Sequence, residues 1–306
     1  AHELQPKEYL YGVNPNVITG LTLDMYMKNK IDYIKGLKQV VFIQCVGSRE
    51  PERPYCSRVC CTHTVLSAIH LKEMNPDIDI FVLYRDLRTY GEREILYKEA
   101  REKGVLFIRY DLERKPVVEE KDGKLVVSVI DHVLQKEIML NPDLLVLQPA
   151  IVPGDVKDIS KFYKVPVDEY GFFVEAHVKL APSSFATEGV FLAGLAHYPK
   201  PIDESIAQAG AAVANAVSLL SKGKVYASGV VAEVDVTACS ACGVCVAVCP
   251  YNAPSLVEDP KLGMKAKVNP FLCKGCGLCN ASCRSNAIHL KGYKDAQVLA
   301  MIQEFV

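Results

Sequence analysis

Two cysteine runs near the end of the chain constrain it more than any other feature. They are C-S-A-C-G-V-C-V-A-V-C-P, Cys239 to Pro250, and C-K-G-C-G-L-C-N-A-S-C-R, Cys273 to Arg284. Both fit C-x2-C-x2-C-x3-C, and the second repeats the first at an offset of 34 residues. In that spacing three thiolates of a tight loop wrap one [4Fe–4S] cubane, and the fourth cysteine is carried off on a helical turn to ligate the other. The pattern predicts Cys239, Cys242, Cys245 and Cys283 for one cluster, and Cys249, Cys273, Cys276 and Cys279 for the second. Gly243, Gly275 and Gly277 let the backbone approach the sulfides, where N–H groups tune the potential. A pair of structural zinc ions fits less well, because zinc favours two well-separated C-x2-4-C pairs. Arg284 stands where a proline often follows the fourth cysteine, at little cost, since proline is not a ligand.

The remaining four of the twelve cysteines are Cys45, Cys56, Cys60 and Cys61, and the next 177 residues hold none. A disulfide framework would spread its cysteines; these fall into three groups of four. Cys45 ends an apolar strand, and the others cross the following loop and first helical turns. A dinucleotide-binding unit would carry G-x-G-x-x-G at this turn. Only Gly47 remains, beside Arg49, Arg53 and Arg58, so a pyrophosphate would lack its cradle. A helix N-terminus and arginines favour an anionic ligand, and a thiolate-ligated cluster is net negative. The spacing alone leaves three readings open: an iron–sulfur cluster, a zinc ion, or buried or redox-active thiols.

The rest of the chain reads as a globular protein. Lys and Arg number 35 against 36 Asp and Glu, a balance that argues against a general nucleic-acid or membrane-surface binder. No apolar run approaches the ~20 residues of a membrane span. The opening AHELQPKEYL has no signal-peptide pattern, so a cytoplasmic location is expected. At 306 residues, about two or three domains are expected. Residues 39–46, 78–86, 104–110 and 143–150 read as buried strands and 56–74 and 91–103 as helices, a parallel α/β unit. Within 56–74, Val59, Leu66, Ile69, Leu71 and Met74 are the expected buried positions. A helix is expected at 22–34, and a short β excursion turns at Asp122-Gly123. Residues 189–194 read as a strand, the Ala-rich 203–221 as a helix able to pack closely on a sheet, 222–224 as a linker, and 294–305 as a final helix. Arg85 to Thr89 read as surface or interface, and His63 and His70 as core or surface rather than metal ligands.

V-V-F-I-Q-C-V-G-S-R, Y-C-S-R-V-C-C, Y-R-D-L-R-T-Y-G, G-V-F-L-A-G and the terminal cysteine repeat together resemble HdrA, the iron–sulfur flavoprotein of heterodisulfide reductase. The resemblance runs over essentially all of the chain and corresponds to the C-terminal part of that longer flavoprotein. It implies an α/β, thioredoxin-reductase-like fold followed by an α+β two-cluster ferredoxin domain. Residues 1–36 and 148–222 would form part of an FAD domain, 37–147 an NAD(P)-domain-like unit, and 223–306 the ferredoxin. It implies that Cys45, Cys56, Cys60 and Cys61 ligate a non-standard [4Fe–4S] cluster, giving three clusters in all.

The resemblance also implies flavin contacts. Gly194 closes G-V-F-L-A-G, with Leu195 where related flavoenzymes carry an Asp. Ser205, Ile206 and Ala207 would offer backbone N–H groups to the FAD phosphates. Lys179 and Lys200 are basic candidates near a reduced, anionic flavin, with a solvated surface charge as the competing reading for each. The glycine fingerprint that opens the FAD domain, the N-terminal cluster region and the inserted ferredoxin of longer members are absent. Another chain, or a missing N-terminal part, would complete the FAD site. The implied function is an electron-transfer component relaying electrons through three clusters between a flavin and partner subunits, flavin-based electron bifurcation being one mode of such complexes. The implied partners are heterodisulfide reductase B- and C-like subunits and a hydrogenase- or formate-dehydrogenase-type donor. The alternatives are a ferredoxin-containing binding or assembly module with structural clusters, and an NADH-linked flavoenzyme, against which the missing glycine fingerprints count.

Overall fold

The run Gln39–Val46 is buried at every position but the first, as a strand must be in the middle of a parallel sheet covered on both faces. The computed structural model describes residues 1–224 and 229–304. Contacts divide the chain into two compact units, one comprising Ala1–Gly154 with Pro199–Pro201, the other Asp155–Tyr198 with the residues from Ile202 onward.

The first unit runs β1 (His2–Glu3), β2 (Val17–Thr19), α1 (Gly20–Asn29), α2 (Ile31–Gly36), β3 (Gln39–Val46), α3 (Cys60–Met74), β4 (Asp79–Tyr84), α4 (Glu94–Glu102), β5 (Leu106–Arg109), β6 (Val117–Lys121), β7 (Lys124–Ile130), β8 (Glu137–Leu140), β9 (Leu144–Pro149) and β10 (Ile151–Val152). Its main sheet has the order β2-β9-β3-β4-β5, parallel throughout. The period-2 alternation of β3 splits its side chains between two cores. Val40 and Phe42 meet Leu23, Ile34, Val65 and Leu71 of the helical layer. Val41 and Ile43 meet Leu125, Val127 and Val129 of the antiparallel β6-β7-β8 layer. Phe42 is fully buried, so its truncation to Ala would cost about 3–5 kcal/mol.

The strands expected at 39–46 and 143–150 and the turn at Asp122-Gly123 stand where the pattern placed them. The helix expected at 22–34 is broken at Lys30 into α1 and α2. The helix expected from residue 56 begins at Cys60, because Arg58 takes a left-handed φ of 60° just before it. Ile69 and Leu71 are buried as expected, whereas Val59, Leu66 and Met74 are only half-buried. Residues 1–36 do not stand apart from 37–147 as the sequence suggests. Val17–Thr19 pairs with Leu145–Leu147 as the edge of the same sheet, which ties the two segments into one core.

The second unit contains α5 (Lys157–Tyr163), α6 (Ile202–Leu220), β11 (Ala232–Val234), α7 (Val244–Val248), β12 (Pro254–Asp259), β13 (Gly263–Val268), α8 (Leu278–Ala281), β14 (Ile288–Leu290) and α9 (Asp295–Glu304). Strands β11 and β14 form one antiparallel pair and β12 and β13 another. Residues 189–194 form no strand, contrary to expectation. Gly189 and Gly194 turn the chain at φ 76° and 66°, leaving an isolated bridge between Ser184 and Phe191. The Ala-rich helix α6 buries none of its residues. Its polar side chains Gln208 and Asn215 hydrogen-bond the 182–197 segment, while Ile202 and Leu220 are 79% and 80% exposed. The expected ferredoxin boundary at residue 223 stands just before residues 225–228, which, like the expected helix end at 305, lie outside the described residues. Among the described residues no helix is long and apolar enough to cross a membrane.

Candidate metal centres

The first centre lies beyond the carboxyl end of β3, the place where open parallel sheets receive ligands. The β3–β9 register slips between Ile43 and Val46, and Cys45 sits in the slip with φ 60°. A bulge of this kind re-aims a side chain. Gly47 and Arg49 follow at φ 67° and 58°, so the loop is folded back on itself. Cys60 and Cys61 open α3, whose N-cap Val59 offers no side-chain acceptor. Cys56 lies on the loop before it and accepts the Arg58 N–H at 3.3 Å.

The four thiols share one electrostatic neighbourhood. Burial pushes the Cys45 thiol up, opposed by Arg85 and reinforced by Cys61 and Cys56. A hydrogen bond between Cys60 and Cys61 raises the former, aided by burial, and lowers the latter. Arg88 and Arg49 also lower Cys61. Arg85, 8% exposed, donates to the carbonyls of Arg49 at 2.7 Å, Cys45 at 3.4 Å and Ser48. Its Nε and the Nη1 of Arg49 are buried without a hydrogen-bond partner. Two orphaned guanidinium donors beside four cysteines fit an anionic group there, and a thiolate-ligated cluster is anionic. The sequence reads Arg85 as surface or interface; the fold buries it. The signal lies in the strand order, since β4 ends on the same side of a parallel sheet as its neighbour β3.

The other eight cysteines ring two cavities. One is bounded by Cys239, Cys242, Cys245 and Cys283 with Leu256 and Ile288; the other by Cys249, Cys273, Cys276 and Cys279 with Leu278 and Leu290. Helix α7 explains the crossing. Cys245 lies in its first turn and Cys249 at its C-cap, about 6 Å further along the axis at 1.5 Å per residue. Gly243 and Gly277 cap α7 and α8 at φ 76° and 78°. The pair Ala241 and Gly275, likewise 34 residues apart, take φ 57° and 63°.

Backbone N–H groups point at the sulfurs. Ala266 donates to Cys239 at 3.5 Å, Ala232 to Cys273 at 3.4 Å and Ala287 to Cys283 at 3.3 Å. Burial, then Cys273 and Cys249, raises the Cys279 thiol to about 11. Burial also raises Cys245, aided by Cys239 and Cys242. At Cys283 burial is outweighed by the Ser285 hydroxyl and backbone N–H groups, which lower it. Cys245 and Cys279 belong to the small core of Ala232, Ala266 and Ile288, so part of this core is the ligand set itself. Among the described residues, no three His, Cys, Asp or Glu side chains converge on a point suited to a single ion.

The expected flavin contacts fall differently. Gly194 and Ser205 are neighbours, 3.9 Å from a Cβ built on Gly194, with Leu195, Ile206 and Ala207 exposed beside them. The Gly194 N–H is already taken by Gln208 at 3.0 Å, and the first turn of α6 carries Asp203 and Glu204, which disfavour a phosphate there. Lys179 is exposed. Lys200 is 4% exposed, so its reading as a solvated charge does not hold.

Residues 238–287 match the family described as 4Fe-4S dicluster domain. The chain is 40% identical over 82% of its length to an A-type iron–sulfur component of CoB–CoM heterodisulfide reductase from Methanopyrus kandleri, of which it covers 40%. It is 38% identical, at the same coverages, to the corresponding A-type component of the H2:CoB-CoM heterodisulfide, ferredoxin reductase of Methanothermobacter marburgensis. It thus spans two fifths of the length of these relatives. The thioredoxin reductase of T. acidophilum superposes with a TM-score of 0.46 at 16% identity, over 72% of this chain and 63% of that one.

Proposed function

Because the chain belongs to the HdrA family of heterodisulfide reductase iron–sulfur proteins, we propose that it is an iron–sulfur electron-transfer component of a heterodisulfide-reductase-type oxidoreductase. The observation that carries this reading is the sorting of twelve cysteines into three sets of four, two of them around separate cavities. We assign Cys239, Cys242, Cys245 and Cys283 to one [4Fe–4S] cluster, Cys249, Cys273, Cys276 and Cys279 to a second, and Cys45, Cys56, Cys60 and Cys61 to a third.

A bound cluster supplies one-electron oxidation and reduction. The chain's own residues fix where that happens and at what potential. The Ala232, Ala266 and Ala287 N–H groups stabilise charge on the ligand sulfurs. Leu256 and Ile288 line one C-terminal site, and Leu278 and Leu290 the other, with apolar surface. Arg49 and Arg85 hold positive charge at the N-terminal site. Gly194, Leu195, Ser205, Ile206 and Ala207 would form one side of an FAD site, with Lys179 as a further basic contributor, completed by another chain or a further part of this one. Heterodisulfide reductase B- and C-like subunits and a hydrogenase- or formate-dehydrogenase-type donor are the proposed partners, in the cytoplasm, with bifurcation as a mode of the assembled complex.

Anaerobically purified protein should hold about 12 iron and 12 sulfide per chain, from three clusters of four. Four iron or fewer would sink the relay. The double variant Cys60→Ala, Cys61→Ala should lower iron by a third; unchanged iron would remove the N-terminal assignment. Reversible reduction and reoxidation of the same protein at full iron content would support the relay over clusters that only brace the fold.

A further inference from the structure

Each of the two C-terminal cysteine sets has a lysine ammonium on a ligand's own carbonyl, and the two lysines come from different places. Lys265, on β13 beside the first cavity, donates to the carbonyl of Cys239 at 2.6 Å. Lys164 comes from outside the cysteine repeat, at the end of α5, where it takes a left-handed φ of 51°. It donates to the carbonyls of Cys249, at 3.2 Å, and Val246. The segment that bears Lys164 is held on the same loop by further bonds. Thr187 donates to the Pro250 carbonyl at 3.4 Å and to that of Tyr163 at 3.3 Å. Asn252 donates to the Phe162 carbonyl at 3.5 Å. Lys274, next to Cys273, pairs with Glu188. These bonds gather on the loop Cys249–Asn252 and on Lys274, beside the second set.

We propose that Lys164 and Lys265, each on a ligand's own carbonyl, are potential-setting cations of the two sites, Lys274 at the second site being offset by its pairing with Glu188, and that Lys164 makes the potential of the Cys249 site depend on the seating of the 155–192 segment. Reduction adds a negative charge to the bound group, and a nearby cation favours the reduced form. Lys265 is a fixed part of its own site. Lys164 is present only while its segment is docked, so this site alone has a potential set by a neighbour. The inference rests on the cluster assignment above.

The test is a redox titration of the anaerobic, iron-replete full chain, followed by the EPR signals of its reduced clusters. Lys164→Gln should lower one midpoint by about a tenfold change in the one-electron equilibrium, about 59 mV, and leave the second C-terminal signal unmoved. Lys265→Gln should do the reverse. Lys164→Arg should restore most of the shift, and Thr187→Val, which loosens the segment without removing charge, should lower the same midpoint by less. Equal shifts of both signals in either lysine variant, or none at full iron content, would overturn the proposal. If Lys164→Gln loses iron, Thr187→Val decides: an unshifted midpoint overturns the proposal and a lowered one supports it. Absence of [4Fe–4S] signals in the unaltered protein would instead overturn the cluster assignment beneath it.

Discussion

Gly275→Ala should strip the C-terminal half of the protein of its iron, leaving about four of twelve iron atoms per chain. A Cβ at Gly275 would lie 2.6 Å from the carbonyl oxygen of Val230 and 2.8 Å from its Cγ1, and backbone cannot swing aside as a side-chain tip can. The residue also holds φ 63°, which costs an L-residue about 1–2 kcal/mol. With overpacking of about 1–3 kcal/mol, the change costs about 2–5 kcal/mol at the turn that presents Cys273 and Cys276. The neighbouring set follows, because α7 carries Cys245 into one site and Cys249 into the other. The symmetry-related position behaves in the opposite sense. Ala241 already holds φ 57° with its methyl in place, so Ala241→Gly should add about 0.5–1 kcal/mol, the relief of strain less the added freedom of the unfolded chain. Iron content and thermal midpoints of the two variants check both; full iron in Gly275→Ala would refute the steric argument.

Arg85→Leu should produce the reciprocal loss, with about eight iron atoms kept and the N-terminal four gone. The guanidinium spans the carbonyls of Cys45, Ser48 and Arg49, at the end of β3 and on the loop after it, where the left-handed residues Cys45, Gly47 and Arg49 need holding. Leucine fills much of the volume but donates nothing. The Cys45 carbonyl keeps the Ser48 N–H at 3.2 Å, whereas those of Ser48 and Arg49 lose their guanidinium donor at about 1–3 kcal/mol each; single changes seldom exceed about 4–5 kcal/mol, so a loss of about 2–5 kcal/mol is expected. Arg85→Lys keeps the charge without the planar fork and should fall between. Iron per chain and urea unfolding midpoints separate the three proteins. Unaltered iron and an unaltered midpoint in Arg85→Leu would show that the loop holds itself.

The parallel core was legible because Val40 to Val46, Ile80 to Leu83 and Leu144 to Leu147 are largely apolar runs of strand length. The cysteine sets were legible because their spacing repeats. The strand expected at 189–194 was not, because G-V-F-L-A-G is apolar enough for a strand while its two glycines reverse the chain. The exposure of α6 was hidden by its composition. Alanine, isoleucine and valine predict burial, yet the face that meets its own unit is the one bearing Gln208 and Asn215. Arg85 and Lys164 left no local signal. Their partners lie 36–40 and 82–85 residues away in sequence, so only the tertiary fold brings charge to those carbonyls.

Cys45 belongs to the central strand of the five-stranded sheet, whereas Cys242 and Cys276 are exposed on the surface. That difference is one of time. A ligand on a central strand comes free only when the sheet itself opens, so loss of metal from the Cys45 centre should keep pace with global unfolding. The surface-reaching centres answer to local breathing of short turns. Under a chelator the protein should therefore shed its iron in two phases, fast from the cysteine repeat and slow from the end of β3, and only the slow phase should share its rate with exchange of the β3 amides.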